Sequence, residues 1–258
     1  IDNDIPLIDR TFGFESAVSE SVKVIDAAYI EALSAVNGVG IVKLFGRSCG
    51  FISLFATLAS RNVNVCLVPE SDFELKGERG LLEYVYHRVQ KRGHCVIVVA
   101  EGCGDAVMDL DIKDTGEKDK SGNKKMADVG VILKEELAKF GKAKDFEFTI
   151  KYIDPTYIIR AIPAVAFDVH YCARLASNAV HSAFAGWTNF TSGCINRKNV
   201  IIPIDYINSC EKRTIDPVSD SEYLSMMGST GQPLFRNKFV KRKSSTKRNT
   251  IVNMDSFK

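Results

Sequence analysis

Three short, largely apolar runs, at 39–45, 63–69 and 95–100, are separated by stretches with the periodicity of helices, and this alternation most constrains the fold. Runs rich in Val, Ile and Ala, rather than alternating apolar with polar, suit strands covered on both faces of a parallel sheet. Ahead of the first run, Val18, Val22, Ile25, Ala28 and Ala32 mark one face of a helix over 16–36, which Asn37-Gly38 stops. Further helices are expected at 51–60 and 80–92. Strands alternating with helices imply right-handed β-α-β units, hence a doubly wound α/β architecture. Ligands in such sheets sit at the carboxyl ends of the strands. Phe45-Gly46-Arg47, Pro69-Glu70 and Glu101-Gly102 fall there.

The later pattern is less regular. A polar stretch at 105–125 reads as a surface loop before a helix at 127–141, and 146–153 alternates like a strand until Asp154-Pro155 ends it. A helix is expected over 166–186, then a hairpin around 193–198 with 200–204 as its return strand. From Arg236 the chain is basic and rich in Ser and Thr, as in a flexible tail. The net charge of +2 selects no partner class. No apolar stretch reaches the roughly 20 residues of a membrane span, so no membrane contact is expected. Lys241-Arg242-Lys243 and Lys247-Arg248 lack interleaved aromatics and read as a solvated tail, not as a nucleic-acid-binding arm. Seven cysteines without a Cys-x-x-Cys pair, mostly in apolar surroundings, read as reduced core thiols of a cytoplasmic protein.

Chemistry concentrates in three places. Ile1-Asp2-Asn3-Asp4 carries two carboxylates two residues apart, a pairing suited to proton abstraction beside a metal-bound phosphate. Gly46-Arg47-Ser48-Cys49-Gly50 is a turn between a strand and a helix, and a guanidinium there matches phosphate oxygens with its planar fork. Lys151, Tyr157 and Arg160 flank Asp154-Pro155, two cations and a hydroxyl that suit a second phosphate grip. Each has a plainer alternative, solvated loop carboxylates, a surface arginine in a tight turn or merely common Lys and Arg, just as Glu101 could be a helix-capping or salt-bridged carboxylate; local sequence leaves these open.

Taken in order, Ile1-Asp2-Asn3-Asp4, Thr11-Phe12-Gly13-Phe14, Lys43-Leu44-Phe45-Gly46-Arg47, Val68-Pro69-Glu70, Val99-Ala100-Glu101-Gly102 and Lys151 to Arg160 resemble the 6-phosphofructokinases. Ser121-Gly122-Asn123-Lys124-Lys125, Tyr152-Ile153-Asp154-Pro155 and Ser229-Thr230-Gly231-Gln232-Pro233 point to the plant and trypanosomatid branch. The resemblance spans about residues 1–235. It implies a Rossmann-like fold of two similar α/β domains, the first incomplete at its N-terminus. On that pattern 1–36 belongs to the donor-site domain with its catalytic loop, 37–153 is the fructose 6-phosphate (acceptor) domain, 154–235 returns to the first domain, and 236–258 is the tail.

The resemblance further implies phosphoryl transfer to the 1-hydroxyl of fructose 6-phosphate, giving fructose 1,6-bisphosphate in glycolysis. Asp2 would take the hydroxyl proton, Arg47 would join it in catalysis, and Asp4 would help hold Mg²⁺ on the donor phosphates. Ile1, Phe45, Gly46, Glu101, Lys151, Tyr157, Ile158, Ile159 and Arg160 would line the sugar phosphate with Asp2 and Arg47. Phe45 replaces the family's Met as a stiffer wall. The family's upstream Gly-Gly-Asp-Gly loop and the Thr before Ile1 are absent, so the chain is expected to be an N-terminally truncated fragment whose isolated activity is in doubt. ATP is the expected donor, with pyrophosphate as the alternative. A non-catalytic, sugar-phosphate-binding regulatory subunit also stays open. A homodimer or homotetramer is implied, with an arginine from a neighbouring subunit completing the site; its usual position falls near Gly38.

Overall fold

The computed structural model describes residues 1–109 and 127–236. The Ser121–Lys125 motif, most of the polar 105–125 stretch and the basic tail lie outside the described residues. Four strands, β1 (Gly38–Leu44), β2 (Val65–Leu67), β3 (His94–Ala100) and β4 (Thr149–Ile153), form one parallel sheet in the order β2-β3-β1-β4. Helix α1 (Phe14–Ser34) and α2 (Phe51–Ser60) cover one face, while α3 (Leu81–Arg92) and α4 (Val129–Ala143) cover the other. The doubly wound α/β expectation therefore holds.

Side-chain alternation along β1 explains the two layers. Val42 and Leu44 enter the core with Ile25, Ala28 and Ile52, whereas Val39 and Ile41 enter the core with Leu81, Val85, Leu133 and Leu137. All of these are at most 1% exposed, and burying an aliphatic side chain of this size contributes about 1.5–3 kcal/mol. Gly38 and Gly40 let α1 lie directly on β1: a Cβ on Gly38 would come within 1.9 Å of the Ala32 carbonyl oxygen. The helix expected to belong to a separate leading segment thus packs on this same sheet.

Two strands are shorter than the apolar runs. At the start of β2 the Asn64 side chain accepts the Val96 N–H at 2.9 Å, and at its end Pro69 has no N–H to donate. Before β4, Phe146 donates its N–H to Gly141 and closes the end of α4, so the strand begins only at Thr149.

Beyond β4 come the short α5 (Thr156–Arg160), the long α6 (Ala166–Phe184), the antiparallel hairpin β5 (Phe190–Ile195) and β6 (Lys198–Pro203), α7 (Ile204–Ser209) and α8 (Ser221–Thr230). Asn196 and Arg197 both have positive φ (49° and 64°), the conformation of a two-residue turn matching strand twist. Helix α6 buries little beyond Asp168 and Tyr171, and Phe167, Val169, Val180 and Phe184 are exposed. No described helix is long and apolar enough to cross a membrane. All seven cysteines are free; five are buried as expected, but Cys172 is exposed and Cys210 half-buried, because α6 and α7 present outward faces.

Asp168 joins the two ends of this arrangement. Its carboxylate, 1% exposed, accepts N–H bonds from Gly13 and Ser16 and the Ser16 hydroxyl at 2.6–2.9 Å, at the start of α1. Ser16 Oγ in turn accepts the Val165 N–H. Asp168→Ala is expected to cost about 2–3 kcal/mol in urea denaturation by orphaning these donors, with Asp168→Asn costing less because its amide oxygen still accepts.

Candidate functional site

β1 and β3 are neighbours, yet the chain leaves β1 over one face and β3 over the other. A crevice must open at their carboxyl ends, which is where open α/β sheets bind ligands. The ladder pairs Leu44 with Ala100, so both strands end level. The following turns then touch: the Gly102 N–H donates to the Gly46 carbonyl at 2.8 Å. A Cβ on Gly102 would sit 2.1 Å from the Arg47 carbonyl oxygen, and one on Gly46, at φ 139°, 2.5 Å from the Cys49 carbonyl oxygen. Neither position tolerates a side chain without moving backbone. The result is Arg47 facing Glu101, with guanidinium and carboxylate 3.7 Å apart and each about a third exposed (37% and 32%). That loose, partly exposed pair stabilises the fold little.

The Ile1–Gly13 loop lies across this crevice. Asn3, buried and at φ 63°, exchanges hydrogen bonds with Thr11: each backbone N–H donates to the other's side chain. Cys49 donates its thiol to the Asp2 carbonyl at 3.1 Å. Burial pushes the Cys49 thiol up to about 12, with Asp2, Asp4 and Glu70 adding to it, so this cysteine is a hydrogen-bond donor and not a nucleophile. Burial also raises the Asp2 carboxyl above the usual range; Asp4 and Glu101 reinforce this, while Lys212 opposes it. Asp4 is held by the Lys212 ammonium at 2.9 Å, and the Arg213 N–H donates to the Asp4 carbonyl. Lys212 and Asp4 line a cavity of about 490 Å³ with Ile5, Pro6, Ile204 and Ile207.

The remaining expected residues divide. The guanidinium of Arg160 lies over the Phe45 ring, 5.0 Å from its centre, so α5 reaches the same crevice. Phe45 itself is 8% exposed: its ring packs beneath Arg160 instead of standing as an open wall. Tyr157 and Ile158 are exposed beside it and Ile159 is buried in the core. Ile1 is half-exposed near Gly13. Lys151 is not brought to the group. It pairs in register with Gly40, four positions before Leu44, which at strand rise is about 13 Å away, and its ammonium meets Glu31 of α1 at 3.1 Å.

Four residues that shape this region were not among the expected site residues: Glu70, Lys212, Arg213 and Lys43. Glu70 sits below the turn, and its carboxylate accepts the N–H groups of Gly50 and Ile215, each at 3.1 Å. Burial raises its pKa, opposed by those same N–H bonds. Its place after Val68-Pro69 at a strand end was the available signal. Lys212 and Arg213 gave none, since their partners stand about two hundred residues earlier. A cavity of about 1000 Å³ between α6 and the hairpin turn includes none of Asp2, Arg47 or Glu101. Among the described residues no cluster of three or more His, Cys, Asp or Glu side chains could hold a metal unaided. Mg²⁺, however, commonly takes one or two carboxylates and completes its shell with substrate phosphates and water, and the hard oxygens of Asp4 fit that role.

Residues 1–183 match the phosphofructokinase family, and the chain belongs to it. It is 46% identical over 235 residues to ATP-dependent 6-phosphofructokinase 7 of Arabidopsis thaliana, covering 91% of this chain and 48% of the relative. The ATP-dependent 6-phosphofructokinase of Trypanosoma brucei brucei is 45% identical over 84% of this chain and 43% of its own length. The chain thus spans about half the length of the curated relatives it matches. A pyrophosphate-dependent phosphofructokinase from Marinobacter aquaeolei shares the fold with a TM-score of 0.62 at 18% identity, over 92% of this chain and 58% of that one.

Glu70→Ala is expected to lower stability by about 1–2 kcal/mol, because the Gly50 and Ile215 N–H groups lose their acceptor. A fall in the urea midpoint at unchanged slope would show it.

Proposed function

We propose that this chain forms the acceptor side of an ATP-dependent 6-phosphofructokinase, which transfers the terminal phosphoryl group of ATP to the 1-hydroxyl of fructose 6-phosphate. One observation carries the reading: the Asp2–Asp4 loop, the Phe45–Arg47 turn, Glu101 and Arg160 converge on one strand-end crevice, although they lie far apart in sequence. The names of the similar curated proteins favour ATP as donor.

Asp2 is the base. Its raised pKa makes it a better proton acceptor than an ordinary aspartate. Arg47 lies along the phosphoryl group in flight and balances its charge. Glu101 accepts bonds from sugar hydroxyls. Tyr157 and Arg160 hold the 6-phosphate, and Gly46, Ile158 and Ile159 bring backbone close to the sugar. Asp4 would hold Mg²⁺, which would supply charge neutralisation at the donor phosphates. Lys212 holds Asp4 in the form described here.

Lys151, displaced along β4 and paired with Glu31, is left out of this site, and a homodimer or homotetramer is the assembly proposed. Residues 37–153 form the acceptor unit, with 1–36 and 154–235 supplying the carboxylate loop and its anchors. Free thiols throughout the described chain suit the reducing cytoplasm.

Purified chain 1–258 is expected to bind fructose 6-phosphate in calorimetry. Product formation is to be assayed with Mg²⁺ and either ATP or pyrophosphate. Failure to bind the sugar phosphate overturns the acceptor reading; turnover with pyrophosphate alone overturns the donor. In the active enzyme, Asp2→Asn should lower kcat by about 10² to 10⁴ with little change in fructose 6-phosphate affinity. Because the Asp2 pKa is raised, turnover should fall as pH drops through a value above the ordinary aspartate pKa of about 3.9. Asp2→Asn should abolish that limb.

A further inference from the structure

Lys43 is the one charged residue of β1, and its side chain points into the layer occupied by α4. Its ammonium meets two carboxylates, Asp128 at 2.9 Å and Asp154 at 2.7 Å. Lys43 is only 14% exposed, whereas Asp128 and Asp154 are 37% and 36% exposed, so the carboxylates reach in toward a cation withdrawn from water. Each carboxylate has a second duty. Asp128 caps α4, accepting the N–H groups of Gly130 and Val131, and receives the Tyr152 hydroxyl at 2.8 Å. Asp154 accepts the N–H and hydroxyl of Thr156, the first residue of α5.

One ammonium therefore ties together the end of β1, the start of α4 and the turn that launches α5. Two residues beyond Lys43 the chain reaches Phe45, and α5 ends at Arg160, whose guanidinium covers that Phe45 ring. The β1–β4 ladder ends at Val42 and Ile153, so beyond it Asp154 reaches β1 through this ion pair. Removing the cation leaves two carboxylates facing each other in a half-buried place, a repulsion relieved by swinging the turn, and α5 with it, away from the strand.

We propose that Lys43 is a positioning residue for the acceptor: held between Asp128 and Asp154, it sets the place of α5, and so of Arg160, against the Phe45–Arg47 turn. The inference rests on the acceptor reading given above for its functional consequence, but its structural half stands apart from it.

The test combines calorimetric titration of chain 1–258 with fructose 6-phosphate and amide hydrogen exchange followed by peptide. In Lys43→Met, the 154–161 peptide is expected to lose protection while 51–60, in α2, keeps it, and the dissociation constant should rise roughly tenfold, as for coupled neighbours. Lys43→Arg should recover most of the affinity, since a guanidinium can bridge both carboxylates. Should Lys43→Met fail to fold, Asp154→Asn carries the same test, with a smaller loss in the same direction. Unchanged exchange at 154–161, or equal loss at 51–60, overturns the proposal. Preserved affinity with altered exchange overturns its functional half. If the unsubstituted chain does not bind fructose 6-phosphate, the acceptor reading falls, and exchange alone decides whether Lys43 holds α5.

Discussion

Everything at the crevice depends on β1 and β3 ending at the same level and on the absence of side chains at Gly46 and Gly102 where they do. The parallel register sets the first condition and the hydrogen bond between the two glycines uses the second. Only then do Arg47 and Glu101, each the first long polar side chain after a buried strand, face one another. The departure of the chain from β1 and β3 over opposite faces of the sheet keeps helices from filling the space between them. The site is thus a by-product of sheet topology, made usable by two missing Cβ atoms.

Carboxylates do most of the fastening around that crevice, and they do it by accepting backbone N–H groups. Asp168 receives the start of α1, Glu70 the turn after β1 together with the 213–215 segment, and Asp9 both N–H groups of the hairpin turn at 2.9 Å. Asp128 and Asp220 cap α4 and α8 in the same way. Each bond satisfies a donor that would otherwise be orphaned, and each joins segments that the sequence keeps apart. The loop bearing Asp2 and Asp4 has no regular secondary structure; its shape comes from Asn3–Thr11, Asp9, Arg213 and Tyr171, whose hydroxyl donates to the Arg10 carbonyl. A carboxylate meant to act as base at a defined place needs such fixing, because misplacement by an ångström costs rate steeply.

Local pattern was informative wherever a physical rule acts within a few residues. Apolar runs marked three sheet strands and alternation marked the fourth, and the helical stripe of 16–36 marked α1 within two residues. The strand-end rule put Phe45–Arg47 and Glu101 in one crevice before any coordinate. The errors lie where a neighbour intervenes: Asn64 and Pro69 trimmed β2, and the closing turn of α4 took Phe146 out of β4. Lys151 read as part of a cluster with Tyr157 and Arg160 because six to nine residues separate them. An extended strand carries it the other way, toward Glu31.

The sequence by itself determined the doubly wound class, the order of the elements and the chemical types gathered at strand ends, because burial periodicity and turn chemistry are local. Tertiary structure alone decided which charges meet. Lys43 with Asp154, Lys212 with Asp4 and Asp168 with Ser16 join residues more than a hundred positions apart. No periodicity encodes such partners; they are chosen by which strand ends the sheet brings level and which loops its helices hold down.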